Sequence, residues 1–173
     1  YDELSFDKYY KNYDRIAQVM QRASFNGKLE AQTSNPGLMG PAIRSDYGSN
    51  FKQVVQTSWI GGHLVAYGNN TFNNIGIYAE PGIVDMLSLR MLQGNNTALI
   101  DPYSIILSAS TAKAIFGNKD PMGKVVKYDR SHAVKVTGVY EDFPSNTSFS
   151  EVKMIMPWEL WLIQNPWTKQ MQN

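Results

Sequence analysis

Residues 105–149 read IILSASTAKAIFGNKDPMGKVVKYDRSHAVKVTGVYEDFPSNTSF. Ser104 to Leu107 is a short apolar run of the length a buried strand needs. Ser108 offers a hydroxyl to cap a helix. Ala109, Ala112, Ile115 and Phe116 then recur at helical spacing and make one apolar face. Gly117 closes that helix, because a residue without Cβ takes the left-handed conformation easily. After the Asp120-Pro121 and Gly123 turn, Val125 to Tyr128 and Ala133 to Tyr140 read as two strands joined by Asp129-Arg130-Ser131-His132. Strict alternation puts Val134, Val136, Gly138 and Tyr140 on one face of the second strand, and Lys135, Thr137 and Val139 on the other.

This stretch excludes one attractive reading. Gly117 to Lys124 superficially resembles a phosphate-binding loop of the form G-x-x-x-x-G-K-[ST]. It is one residue too long, and Val125 stands where the hydroxyl belongs. It also leaves a helix and enters a strand, whereas a phosphate loop must present a helix N-terminus to the anion.

The order of strand, Leu107-Ser108, helix ending in Phe116-Gly117, Pro121-x-Gly123-Lys124 turn, Val136-x-Gly138-Val139 strand and Asp142-Phe143-Pro144-x-Asn146 loop resembles the extracytoplasmic core domain of MacB/FtsX-type ABC transporter permeases. Upstream, DMLSLRMLQGN from Asp85 matches the segment preceding the strand in such domains. Downstream, VKMIMPW from Val152 matches their strand that ends in proline and opens a helix. The resemblance is strongest from Ile83 to Pro157 and departs at Thr147-Ser148, where many relatives carry Ser-His. That loop is assigned no role.

The resemblance implies an α+β, two-lobed domain with antiparallel and mixed sheets and a few short helices. Lobe one takes residues 1–80 plus 151–173, and lobe two takes residues 81–150. It implies a non-catalytic periplasmic domain of a permease seated in the bacterial inner membrane. ATP would be hydrolysed by a separate nucleotide-binding domain or subunit, with no cofactor in this domain. Motion would pass to the domain to drive substrate export (efflux of peptides or macrolides, or lipoprotein transfer) or partner regulation. The expected partners are a second permease copy, the cytoplasmic ATPase and a periplasmic adaptor or other periplasmic protein. An extracytoplasmic ligand-sensing or protein-interaction module is the alternative.

Composition agrees with an ordinary globular domain: 43% hydrophobic and 18% charged residues, with a formal net charge of +1. No strong field steers such a chain to nucleic acid. Cysteine is absent, which removes disulfides and thiolate metal sites. No apolar run is long enough to span a membrane. The chain begins at Tyr1, and we expect it to be a piece of a longer membrane protein.

Ahead of the deciding stretch, Ser5 to Ile16 carries aromatic residues at helical spacing and predicts a first helix. Ile16 to Ser24 predicts a strand, with Asn26-Gly27 as a turn. A helix near Pro41 to Tyr47, a strand over Phe51 to Trp59, a hairpin turn at Gly61-Gly62, and strands over His63 to Tyr67 and Phe72 to Ala79 follow. Pro81 opens a short helix, residues 95–102 form a loop, and Val152 to Met156 and Trp158 to Ile163 predict a last strand and helix.

Candidates for chemistry are few. Glu141 and Asp142 are adjacent on a strand end and point to opposite faces, so they do not converge as an acid and base. His63 and His132 fall in predicted turns without a carboxylate at metal-ligand spacing. Ser108, Ser110 and Ser145 lack a histidine partner in sequence reach. No catalytic, cofactor or metal residue is assigned. Tyr67, Phe72, Trp161 and Trp167 are the candidate anchors of a partner surface.

Overall fold

The computed structural model describes residues 5–168. The elements run β1 (Gln21–Phe25), β2 (Lys28–Gln32), α1 (Met39–Tyr47), β3 (Gly61–Tyr67), β4 (Asn70–Ala79), α2 (Ile83–Met86) and β5 (Met91–Gln93). They continue with β6 (Ser104–Ser108), α3 (Ala109–Phe116), β7 (Val125–Tyr128), β8 (His132–Tyr140), β9 (Met154–Pro157) and α4 (Trp158–Gln164). Short 3-10 turns occupy Tyr13–Arg15 and Gly48–Asn50.

Seven strands form one mixed sheet in the order β5-β8-β6-β9-β4-β3-β7, and β7 also bonds β8. The sheet therefore closes on itself. From β3 the ladder passes to β4, β9, β6, β8, β7 and back to β3. The parallel pairs are β4–β9 and β6–β8. Strands from residues 1–80 and 151–173 share this sheet with strands from residues 81–150: β3 bonds β7, and β9 bonds β6. The hairpin β1–β2 stands apart as its own two-stranded sheet around Asn26-Gly27.

Every strand of the ring sends side chains to its inside. Val65, Tyr78, Ile105, Leu107, Val126, Tyr128, Val134, Val136, Met154 and Met156 form one cluster, which α3 and α4 close with Ile115, Phe116 and Leu160. A second cluster covers the outside of β4, β6, β8 and β9, where Ile77, Ile106, Tyr140 and Ile155 pack with Ile83, Leu87, Leu99 and Phe143. Strands β6 and β9 are buried at every residue. Full burial of one such Ile or Leu side chain contributes about 1.5–3 kcal/mol.

The deciding stretch folds as expected up to β8. Ser108 Oγ accepts from Thr111 N at 3.3 Å, and Gly117 at φ 62° ends α3. In β8 the expected alternation fails. The ladder to β6 shifts between Ile105 and Ile106, so Ile105 faces Val136 and Ile106 faces Gly138. Thr137 is the extra residue of this bulge. Beyond it the faces exchange: Val139 joins the inner cluster with Val134 and Val136, while Tyr140 turns outward.

Three other expectations are corrected. The N-terminal aromatic stretch is turns and one 3-10 turn rather than a helix. Asp7 sits at φ 59°, and its amide bonds Asn146 O at 3.0 Å instead of a helical partner. Gly61 and Gly62 lie inside β3, and the hairpin turn is Gly68-Asn69. Residues 51–59 form no ladder strand. They follow the edge of β4 past the end of β3, through a single bridge from Thr57 to Ala79 and a bond from Ser58 N to Tyr78 O at 2.8 Å.

Gly94 holds the turn after β5 at φ 79°, and a Cβ there would lie 2.5 Å from Thr137 O and 3.0 Å from Gly138 Cα. Both neighbours are backbone of the bulge. We therefore expect Gly94→Ala to destabilise the fold by about 1–3 kcal/mol, read as a lower urea midpoint at unchanged m-value.

Candidate functional site

Most of the bonds that tie the start of the described chain to the rest of the domain gather at one loop. Asp142 follows β8, and its carboxylate accepts from Ser110 N at 2.8 Å, from Ser110 Oγ, and from Lys153 Nζ at 2.9 Å. It fastens the first turn of α3 to the segment that leads into β9. Phe143 enters the outer cluster beside Tyr140, with ring centroids 5.4 Å apart. The chain then turns at Pro144, and Thr147 Oγ1 donates to Pro144 O at 3.1 Å.

This loop holds the N-terminal segment. Ser148 N donates to Asp7 Oδ1 at 2.7 Å, and Ser148 Oγ donates to Asp7 Oδ2. Asn146 Nδ2 donates to Ser5 Oγ at 3.0 Å. Tyr10 is 4% exposed and makes edge contacts with Phe143 and Phe149 at 6.2 and 6.3 Å. Burial pushes the Tyr10 hydroxyl pKa up to about 12, so the ring stays neutral. Thr147 and Ser148, to which no role was assigned, are central to this junction. Sequence reasoning missed it because its partners lie 141 residues apart.

Asp142 lies just past the end of β8, and its side chain is 30% exposed and fully engaged. Partial burial alone would raise its pKa. The Ser110 hydroxyl and amide and the Lys153 ammonium outweigh that and hold it at about 2.

A second polar cluster sits where the ring closes. His63 lies on β3 rather than in a turn, and Nδ1 is 2.8 Å from Asp129 Oδ2 and within hydrogen-bond reach of the Tyr128 hydroxyl. Asp129 Oδ1 accepts from Leu64 N at 2.8 Å, and Tyr78 OH donates to Gln164 Oε1. Burial first, then Tyr78 and the Asp129 charge, push the Tyr128 pKa far above its ordinary value. The cluster ties β3, β4 and α4 to the β7–β8 turn across a ladder of only two residue pairs. Among the described residues, no group of three or more His, Asp or Glu side chains is placed to hold a metal ion.

The four candidate partner anchors separate. Tyr67 packs on Phe116 with centroids 4.6 Å apart, and both Tyr67 and Phe72 lean on the inner cluster. Trp161 stacks on Trp158 at 4.5 Å and also leans on that cluster. Trp167 is 52% exposed and touches Trp161 edge-on at 6.2 Å. The larger exposed apolar side chains are elsewhere, at Trp59, Leu29 and Ile100.

The architecture is that of a mixed α+β domain with a few short helices. The sequence profile of the MacB-like periplasmic core domain matches residues 2–172, and the chain belongs to that family. No curated protein matches. Among solved structures, a domain assigned to a permease protein of Porphyromonas gingivalis is similar at TM-score 0.63 and 24% identity, over 75% of this chain and 55% of that one. The periplasmic region of MacB from Actinobacillus actinomycetemcomitans is similar at TM-score 0.55 and 22% identity, over 72% and 56%. The extracellular domain of the noncanonic ABC-type transporter YknZ from Gram-positive bacteria is similar at TM-score 0.57 and 21% identity, over 73% and 64%. The matched region thus spans less than two thirds of each of these structures. Among the described residues, no helix is long and apolar enough to cross a membrane.

The low pKa of Asp142 has a sign. A carboxylate whose folded pKa lies below its unfolded value of about 3.9 stabilises the fold above that value, and the contribution disappears as pH falls through about 2. Denaturation midpoints of the wild type and Asp142→Asn are therefore expected to differ most above about pH 4 and to converge toward about pH 2. A gap that stays constant with pH would count against the Lys153 pairing.

Proposed function

We infer that this chain is a non-catalytic extracytoplasmic element of an ABC transporter permease, and that it relays motion from the membrane into its own sheet. Family membership supports the transporter context. The observation that carries the relay is the junction of Ser5, Asp7 and Tyr10 with residues 142–149. In permeases of this kind the corresponding N-terminal segment follows closely on the first transmembrane helix. A displacement delivered there would otherwise dissipate in a loose linker. Here hydrogen bonds at Asp7 and Asn146, and burial of Tyr10, carry it to Phe143 and Asp142, and from them to β8, α3 and the entry to β9.

In this reading ATP is hydrolysed by a separate nucleotide-binding domain or subunit in the cytoplasm, and the parent chain sits in the inner membrane with this domain in the periplasm. A second permease copy moves against it. The movement serves export of a substrate or regulation of a periplasmic partner, and an adaptor protein is a natural third component. The bonded roles of His63, Asp129 and Asp142 as structural ties support the non-catalytic reading.

Both claims can be tested with one probe. Ser145 is exposed at the tip of the junction loop, and the chain has no cysteine of its own. Ser145→Cys in an otherwise cysteine-free parent protein is expected to react with a thiol reagent that does not cross the inner membrane, in intact cells. Reaction only after lysis would overturn the extracytoplasmic placement. The relay predicts that the labelling rate changes when the associated ATPase turns over. Equal rates with and without ATP would remove the relay and leave the placement standing.

A further inference from the structure

The outer face of the ring is covered unevenly. The second cluster lies over β4, β6, β8 and β9, and none of its members comes from β3 or β7. On β3, Val65 points into the ring, so Leu64 and Ala66 point out. On β7, Val126 and Tyr128 point in, so Lys127 points out. Leu64, Ala66 and Thr71 floor an open groove of about 400 Å3, with Lys127 and Arg130 on its rim.

The charge around this groove is one-sided. Lys124, Lys127, Arg130 and Lys135 are all exposed along the β7–β8 hairpin, and none takes part in an ion pair among the described residues. The acid of the hairpin, Asp129, is turned away. Its Oδ2 faces His63 Nδ1 and its Oδ1 accepts from Leu64 N, both at 2.8 Å. The clasp that closes the ring therefore engages the hairpin's own carboxylate, which makes no ion pair with Lys127 or Arg130. The chain as a whole carries only +1, so this is a local concentration of positive charge.

We propose that the β3–β7 groove binds an acidic, extended segment of another extracytoplasmic polypeptide. Successive side chains of an extended peptide point in opposite directions. An alternating segment lays apolar side chains on Leu64 and Ala66 and offers carboxylates to Lys127 and Arg130. A compact phosphate needs donors that converge on a point. Here the two cations are exposed, and Leu64 and Ala66 lie between them. A flat anionic membrane would meet the cations but leave the concave floor unfilled. Exposed rim charges chiefly accelerate encounter and make binding sensitive to salt. The proposal rests on the extracytoplasmic placement and not on the relay.

The test uses a short fluorescent peptide alternating glutamate and leucine, with the 173-residue chain as receptor. The peptide is expected to bind saturably and to weaken with added salt, and a counterpart with lysine in place of glutamate is expected not to bind. Lys127→Glu/Arg130→Glu is expected to lower affinity about tenfold or more. Lys8→Glu/Lys11→Glu changes net charge equally, lies outside the groove, and is expected to leave affinity within about twofold. Thermal melts check that each variant folds, and Lys127→Gln/Arg130→Gln replaces the reversal variant if that one unfolds. Equal weakening by both charge-reversal pairs, or no binding of the acidic peptide, would overturn the proposal. So would binding of inorganic phosphate or of phosphatidylglycerol vesicles at this groove in place of the peptide.

Discussion

Thr137 is the residue at which β8 changes neighbours, and much of the domain hangs on that change. Before it, one edge of β8 bonds β7; after it, the same edge bonds β5, while the other edge follows β6 from Lys135 to Tyr140. A strand with unbroken alternation would keep Tyr140 on the inside, where Val136 and Tyr128 already fill the ring. The extra residue sends Tyr140 out to Phe143 and brings Val139 in. The bulge is itself secured: Thr137 Oγ1 donates to Ala98 O at 2.6 Å, and Gly94 approaches its carbonyl. Tyr140 in turn donates to Val152 O at 3.0 Å, which aligns the approach to β9.

From that outward turn the rest of the junction follows. Phe143 has a site only because Tyr140 has vacated the ring, and Tyr10 and Phe149 have a surface only because Phe143 is there. Asp142 falls between them, close enough to α3 and Lys153 to hold both. The same closed sheet leaves β3 and β7 bare outside, because their outward residues lie away from the second cluster. One topological decision thus separates a covered side, bound to the N-terminal segment, from an uncovered, cationic side.

Local signals in the sequence were accurate where a single residue type has a single cheap use. Ser108 caps, Gly117 terminates and Asn26-Gly27 turns, and each does so within a few residues of its partners. The α+β class and the relation to the permease domains were legible for the same reason, since their punctuation is local. What could not be read depends on residues far apart. The aromatic spacing of Phe6, Tyr9 and Tyr13 suggests a helix, but tertiary bonds at Asp7 outweigh it, and these three rings are left about half exposed. The glycines at 61 and 62 look like a turn, yet Gly62 pairs with Ile75 in a strand edge. Residues 51–59 have strand-forming composition, but β3 occupies one edge of β4 as far as Gly76 and β9 the other from Gly76 on, which leaves Thr57 and Ser58 only the end of the β3 edge. His63 and Asp129 meet only because the sheet closes.

The contact between Asp7 and Ser148 joins residues 141 positions apart, so it encloses most of the described residues as a loop. Closing a loop of that size before the sheet exists carries the full loop entropy and returns only a few bonds. Once β8 and β9 are in place the same closure is short-range. The N-terminal segment is made well before the loop it binds, yet it is among the last to dock, and until it does, Phe143 and Phe149 present apolar surface to whatever accompanies the growing chain.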